Sequence, residues 1–528
     1  MVRVVALAAC VVALARANAA PVFDPLVDAA TAAVASTPPI SLENVPIPVP
    51  SEIEDHFQPG DYVHSFESPS PSSVFLSSQA GLPDPTKEHW FNRQKVDHTD
   101  PSNNSTWNQR FHFNMNHYGG PGFPVFLVIE GEWVSSHASV TSNGYFFNQL
   151  AKKHKALIVS LEHRFYGKSQ PFADFATPNM KFLTSHQALA DIANFQDFFT
   201  GALDIKNAKW VAMGGSYAGN LAAWVKLKYP TRFAGTWASS APVNAKVDFY
   251  EFSTHVSKAL QYYGGYACVA NIQTAFERLQ SVMVSKEPTD VARLKELFNP
   301  CYNFTSDQDR GVFQREIYSK FQRAATSDDL TSTTLAGICH SFADPTLQPL
   351  EKLSRFINHT VAANKCTYNS FGGMFFQYNS RSRFVRNPVA RPWFYQNCNE
   401  FGYGQATNSG YGAFVPLQFN NIHVQTKILC AIVFNISNVD TRVANTNLAY
   451  GGLNINVENV VFSTGTNDPW DSLALTNDTG TLNPRSTVVD ILESSHCRDM
   501  YSPKPTDSGH LKWGHQRIEA AIDSFLLD

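Results

Sequence analysis

Gly214-Gly215-Ser216-Tyr217-Ala218-Gly219 is the stretch on which the fold of this 528-residue chain turns. It follows a short apolar segment with strand character, Trp210-Val211-Ala212-Met213, and precedes an alanine-rich run with helical character at 220–228. A serine at such a strand-to-helix corner is pushed out of the backbone path with its hydroxyl exposed, the posture of a nucleophile. Small flanking residues let strand and helix cross closely. The usual pattern has glycine two positions after the serine; Ala218 stands there, one methyl larger. A Gly-Ser-Gly corner alone is more often a simple turn, so the nucleophile reading needs partners.

Two later segments supply them. Val460-Val461-Phe462-Ser463-Thr464-Gly465-Thr466-Asn467-Asp468-Pro469-Trp470 reads as a buried strand ending in a turn that carries Asp468. Val488-Val489-Asp490-Ile491-Leu492-Glu493-Ser494-Ser495-His496 reads as another strand running into a loop that carries His496. The chain order Ser, Asp, His is that of α/β-hydrolases. Each acid-base residue lies just past a strand, on the edge where open α/β sheets place their sites. Singly, an Asp-Pro is a frequent turn, and a lone histidine among 17 is usually structural. Together, in this order, they predict the catalytic set Ser216, Asp468 and His496.

Composition narrows the alternatives. A formal net charge of −4 gives no reason to expect nucleic acid or an anionic membrane as partner. Arg3 precedes an apolar run at 4–15, and Ala17-Asn18-Ala19 makes a small-x-small cleavage site, so residues 1–19 read as a secretory signal peptide. No later stretch reaches the roughly 20 apolar residues of a spanning helix. The expected location is outside the cell, or in a lysosome or vacuole. Of eight cysteines, Cys10 belongs to the signal, and Cys268, Cys301, Cys339, Cys366, Cys398 and Cys430 lie between the serine and aspartate segments. Three disulfides are expected there, with the pairing open. Cys497 is left as a free thiol. Placed beside His496 in sequence, it is expected to point away from it. Sequons at Asn103, Asn104, Asn303, Asn358, Asn435 and Asn477 are candidate glycan sites.

Residues 20–87 form a leader or pro-segment dense in Pro and Ser, without apolar periodicity. Patterning begins near residue 88. Thr106-Trp107-Asn108-Gln109-Arg110-Phe111-His112-Phe113-Asn114 alternates like a strand, and Pro124-Val125-Phe126-Leu127-Val128-Ile129 and Ala156-Leu157-Ile158-Val159-Ser160-Leu161 are continuous apolar runs, as doubly buried strands should be. Helical segments near 144–153 and 184–200 alternate with them, which argues for a mostly parallel sheet flanked by helices. From 243 to 425 helical stretches such as 271–286 and 290–298 dominate, and six cysteines gather. The predicted organisation is an α/β-hydrolase core in two parts, 88–242 and 426–528, separated by a helical, disulfide-stapled cap insertion. An amphipathic helix at 518–527 closes the chain.

Glu162-His163-Arg164-Phe165-Tyr166-Gly167-Lys168-Ser169, Gln187-Ala188-Leu189-Ala190-Asp191, Gly214-Gly215-Ser216-Tyr217, Ala238-Ser239-Ser240-Ala241-Pro242-Val243, Tyr395-Gln396-Asn397-Cys398 and Asn467-Asp468-Pro469-Trp470 follow one another in an order that resembles a known family. It comprises prolyl carboxypeptidase, dipeptidyl peptidase II and thymus-specific serine protease, and the likeness runs from about residue 89 to the C-terminus. Gly219-Asn220-Leu221-Ala222-Ala223-Trp224 and Asp248-Phe249-Tyr250-Glu251-Phe252 are most similar to the thymus-specific branch. The resemblance implies a capped α/β-hydrolase that cleaves peptide bonds, with Ser216, Asp468 and His496 as its triad. It also implies the pairings Cys268–Cys339, Cys301–Cys366 and Cys398–Cys430. Trp470 matches one wall of the apolar pocket with which some members take proline on the acyl side. Asn220 and Met500 stand where apolar or aromatic residues are expected in those branches, so proline preference, and exo- against endopeptidase action, stay open.

A serine hydroxyl becomes nucleophilic when a base takes its proton; His496 would do so, with Asp468 holding the other ring nitrogen. Negative charge on the carbonyl oxygen needs donors. One is the backbone N–H of Tyr217. The second is expected within Glu130-Gly131-Glu132-Trp133, after the strand ending at Ile129. Glu132 either binds a charged substrate terminus or solvates the cleft rim. Glu162-His163-Arg164 reads as a salt-bridged structural turn, its spacing being wrong for a zinc pair. No P-loop, metal-ligand cluster or dinucleotide fingerprint occurs, so neither metal nor cofactor is expected. An unperturbed His496 would bring loss of activity below about pH 5 to 6. The partner is a peptide, and the helical insertion offers surface for a homodimer. The same residues serve an ester hydrolase, and a catalytically silent hydrolase-like binding protein is the third reading.

Overall fold

The computed structural model describes residues 82–360, 366–385, 387–408 and 410–527; the expected signal segment and most of the 20–87 leader lie outside them. Ten strands are present among the described residues: β1 (His89–Lys95), β2 (Thr106–Asn114), β3 (Val125–Ile129), β4 (Leu157–Leu161), β5 (Trp210–Gly215), β6 (Gly235–Ser239), β7 (Lys246–Asp248), β8 (Gly402–Gly404), β9 (Val460–Gly465) and β10 (Thr487–Ile491). Eight of them make one sheet in the order β1-β2-β4-β3-β5-β6-β9-β10, while β7 and β8 pair separately. The β1–β2 and β2–β4 pairs are antiparallel. Every other pairing in the large sheet is parallel. This is the α/β-hydrolase arrangement.

The apolar runs become intelligible once both faces of the sheet are covered. Successive side chains on a strand point to opposite faces. Phe126 and Val128 of β3 therefore join Val211, Met213, Trp237 and Val461 in one layer, under Phe146, Leu150, Ile518 and Ile522. Val125, Leu127 and Ile129 join Ala212, Ala238 and Phe462 in the other, with Leu189, Phe195, Leu221 and Trp224. The covering helices are α1 (Phe146–Lys153) and α7 (Gly509–Leu527) on the first face, and α2 (Ser185–Leu203) and α3 (Tyr217–Lys228) on the second. The last helix starts nine residues before the predicted 518, and its buried stripe Leu511, His515, Ile518, Ile522, Phe525 keeps the helical period throughout. Strand β6 carries no β-branched run to announce it. Its Gly235 lies so close to Phe525 that a Cβ would sit 2.2 Å from that ring, and small residues here serve packing.

Between β7 and β9 the chain is helical apart from the short β8. The long α4 (Glu251–Val284) is broken at Gly265, where φ is 67°. It is followed among others by α5 (Asp307–Thr326), and helices continue past residue 425 through α6 (Val439–Tyr450); the main sheet is re-entered only at Val460. Disulfides join Cys268 to Cys339, Cys301 to Cys366 and Cys398 to Cys430, the pairing implied by the resemblance.

Glu162-His163-Arg164 is indeed a salt-bridged corner. Glu162 accepts from Arg110 Nη2 at 2.5 Å and Nε at 3.2 Å, and Arg164 grips Asp191 through two contacts of 2.6 Å. All four side chains are buried. Removing one member of a buried pair strands the other charge in a low-dielectric interior. Glu162→Ala is therefore expected to lower unfolding stability by about 3–5 kcal/mol, read as a fall in the urea midpoint.

Candidate active site

Ser216 sits between β5 and α3 with φ 57° and ψ −128°, a backbone posture that L-residues avoid. The posture is held from outside: its N–H donates to the Ser239 carbonyl at 2.9 Å, and its own carbonyl accepts from Asn220 N–H at 3.1 Å. The neighbouring glycines are required by space. A Cβ on Gly214 would lie 2.3 Å from the Ala218 carbonyl oxygen, and one on Gly219 would lie 2.8 Å from the Ser239 carbonyl oxygen. Ala218 is tolerated because the residues facing its methyl group, Gly214 and Gly131, have no side chains.

Asp468 follows β9 and is fully buried. Its Oδ1 accepts from the Trp470 N–H at 3.0 Å, and its Oδ2 lies 2.7 Å from His496 Nδ1. That contact occupies Nδ1 and leaves Nε2 as the other ring nitrogen. Burial alone would lower the imidazole pKa, yet the Asp468 carboxylate and then the Cys497 thiol hold it well above its ordinary value of 6.5.

The placement of Cys497 also departs from expectation. Its backbone is left-handed, φ 54°, and its thiol is close enough to act on the His496 ring instead of standing apart from it. The same sulfur is 2.9 Å from where a Gly215 Cβ would be, and Cys497 N–H donates to Ser240 Oγ at 2.9 Å. The histidine loop is thereby packed onto the residue preceding Ser216.

The oxyanion-loop residues divide. Gly131 lies over the first turn of α3, its would-be Cβ 3.6 Å from Ala218 N and 3.9 Å from Tyr217 Cδ1. Glu132 is half-buried, and burial raises its carboxyl pKa while the charge of His496 opposes that rise. Trp133 is 66% exposed and projects from the loop into solvent. Tyr217 is buried and opens α3.

The expected pocket residues divide too. Trp470 stands 6.2 Å, centroid to centroid, from the His496 ring and packs with Phe249, Phe252 and Tyr403. Asn220 is fully buried, its Nδ2 donating to the Pro242 carbonyl and the Tyr403 hydroxyl; it supports the aromatic wall from behind. Met500 is not part of that wall. Its sulfur packs under Gly215, and its apolar neighbours belong to the layer on the other face of the sheet. The sequon asparagines Asn104, Asn303, Asn358, Asn435 and Asn477 are exposed, and Asn103 is half-buried.

Several supporting residues had no sequence signal. Asp499 accepts from Ser239 Oγ at 2.6 Å and Ser463 Oγ at 2.5 Å, tying the histidine loop to β6 and β9. His255 of α4 contacts Asp471 through Nδ1 at 2.9 Å and the Thr466 carbonyl through Nε2 at 3.0 Å. Burial works against its charge, but Asp471 outweighs it and raises the His255 pKa. Among the described residues no group of three His, Cys, Asp or Glu side chains is placed to hold a metal ion.

The pattern of the serine carboxypeptidase S28 family matches residues 94–518. The chain belongs to that family. The S28 chain is 31% identical over 452 residues to the putative serine protease K12H4.7 of Caenorhabditis elegans, covering 82% of this chain and 87% of the other. It is 32% identical over 459 residues to the thymus-specific serine protease of Mus musculus, covering 84% and 88%. It is 27% identical to the lysosomal Pro-X carboxypeptidase of Homo sapiens, covering 79% and 83%.

Titration of His496 followed by NMR is expected to give a pKa above 6.5. Cys497→Ala removes one of the groups that raise it, so the value should fall in that variant. An unchanged value would mean that the thiol does not act on the ring.

Proposed function

We propose that this S28 chain is a serine peptidase that cleaves peptide bonds through an acyl-enzyme on Ser216. His496 takes the serine proton through Nε2 and returns it to the leaving amine. Asp468 holds Nδ1, fixing the tautomer and stabilising the imidazolium that forms. The developing oxyanion is received by the Tyr217 N–H and a donor of the 130–133 loop. The 2.7 Å Asp468–His496 contact beside a left-handed serine corner is the observation that carries this reading. Membership of a serine peptidase family favours peptides over simple esters.

The aromatic wall of Trp470, Phe249, Phe252 and Tyr403 suits an apolar residue on the acyl side, proline included. A secretory route, ending outside the cell or in a lysosome, is supported by three disulfides and by the surface sequons. No helix among the described residues is long and apolar enough to cross a membrane.

Ser216→Ala is expected to abolish peptide hydrolysis and labelling by a fluorophosphonate while leaving the fold intact; retained turnover overturns the assignment. Since a protonated imidazole takes no proton from serine, a raised pKa moves the acid limb of kcat/KM upward. The limb is expected above pH 6.5, and full activity at pH 4 would contradict it.

A further inference from the structure

Both ring nitrogens of His255, on α4, meet acceptors. Nε2 is 3.0 Å from the Thr466 carbonyl, and Nδ1 is 2.9 Å from Asp471 Oδ1. A carbonyl only accepts, so Nε2 carries a hydrogen. Asp471 Oδ1 also receives the Ser472 hydroxyl at 3.1 Å, and it stands as an acceptor toward the ring too. Nδ1 therefore carries a hydrogen as well. A neutral imidazole has one N–H to give, and a ring that donates from both nitrogens is an imidazolium.

The charges around the ring agree with this. Its side chain is 13% exposed. Burial opposes the charge, but Asp471 and then Asp468 outweigh it and hold the pKa above 6.5. Asp328 reaches the same turn through Asn467 Nδ2 at 3.2 Å. Glu493 gives its N–H to Thr466 Oγ1 at 2.9 Å, while its carboxylate takes the Tyr262 hydroxyl at 2.7 Å. The nearby lysines are turned to other work: Lys246 pairs with Glu251, and Lys258 is exposed.

The two contacts of His255 fall on opposite sides of Asp468, on Thr466 before it and on Asp471 after it. The leading side is also tied to the histidine side of the cleft, since Thr466 N–H donates to the Ile491 carbonyl and Asn467 N–H to the Ser494 carbonyl, each at 3.0 Å. Inside the turn, Asp471 N–H donates to the Asp468 carbonyl at 3.1 Å. His255 carries the anchorage across to the trailing side. We propose that His255, as an imidazolium, is a positioning residue for Asp468: by bonding both flanks of its turn, it sets the carboxylate against His496. This rests on the reading of Asp468 and His496 as partners of Ser216.

Asp468 stabilises the imidazolium that forms on His496 during reaction, so an error in its placement falls on kcat rather than KM. The clamp needs both N–H groups. It is complete at low pH and is lost as pH rises through the His255 pKa, above 6.5.

The test compares wild type, His255→Gln and His255→Lys on one peptide amide. Glutamine keeps a donor without charge, whereas lysine keeps a cation with three donors. His255→Gln is expected to lower kcat by about ten-fold with KM little changed, and His255→Lys to recover most of that loss. The quotient of wild-type over His255→Lys kcat is expected to stay level at low pH and to fall above pH 6.5, because only the wild type gives up its charge. His496 titrates in both proteins and cancels. An unchanged kcat in His255→Gln, equal losses in the two variants, or a quotient level throughout overturns the proposal. Nitrogen-15 NMR of His255 in Ser216→Ala protein reads the ring without turnover and without a change at 255. Two protonated nitrogens are expected at pH 6.5; a neutral ring there overturns the proposal. Hydrolysis that survives Ser216→Ala removes the triad and the proposal with it. Hydrolysis that needs Ser216, beside a neutral His255, leaves the triad standing and removes the proposal alone.

Discussion

Everything in this molecule is arranged around a crossing too tight for a side chain. Where β5 passes into α3, added Cβ atoms would meet the Ala218 and Ser239 carbonyl oxygens at 2.3 and 2.8 Å. The price of that approach is a serine in the left-handed region, a strain of about 1–3 kcal/mol. It persists because β6 holds the Ser216 N–H and the first turn of α3 holds its carbonyl. The strain also has a use, since it lifts the hydroxyl clear of the backbone at the C-terminal edge of the sheet.

Around that point the core and the helical insertion behave as one piece of chemistry. His255 on α4 braces the loop that carries Asp468. Asp328 accepts from Asn467 in that loop, and Asp329 pairs with Ser495 and Arg498 on either side of His496. Gln396 links Tyr166 to Tyr217, the residue after Ser216. The insertion thus does more than roof the cleft. Loops bearing an acid and a base lie on its polar side chains, and a shift of those helices would be felt at both.

Much of this was legible in the chain. The small-residue corner, the three residues in hydrolase order and the apolar runs of β3 and β4 are local patterns, because doubly buried strands and tight turns restrict composition residue by residue. Strand β6 was not legible, since its sequence answers to the pressure of Phe525 rather than to strand propensity. Strand β1 alternates poorly because its pairing with β2 shifts register between Phe91 and Gln94. The helices between residue 425 and Val460 differ little in composition from those before them, so no change of pattern announces the return to the sheet. Met500 was assigned by position in a pattern, which carries no information about the face of the sheet to which a loop residue turns.

The sequence by itself determined the identities: a serine between small residues, an aspartate and a histidine after buried strands, and six cysteines between them that pair as three disulfides. These are local requirements, written wherever they occur. Only the tertiary structure decided which atoms face one another. It brought the Cys497 thiol close enough to act on His496, fixed the Tyr166, Tyr217 and Tyr403 hydroxyls in hydrogen bonds to Gln396, His163 and the Pro242 carbonyl, and set Asp499 between two strands. Such outcomes depend on directions in space between segments hundreds of residues apart, and a linear pattern does not encode them until the sheet brings those segments together.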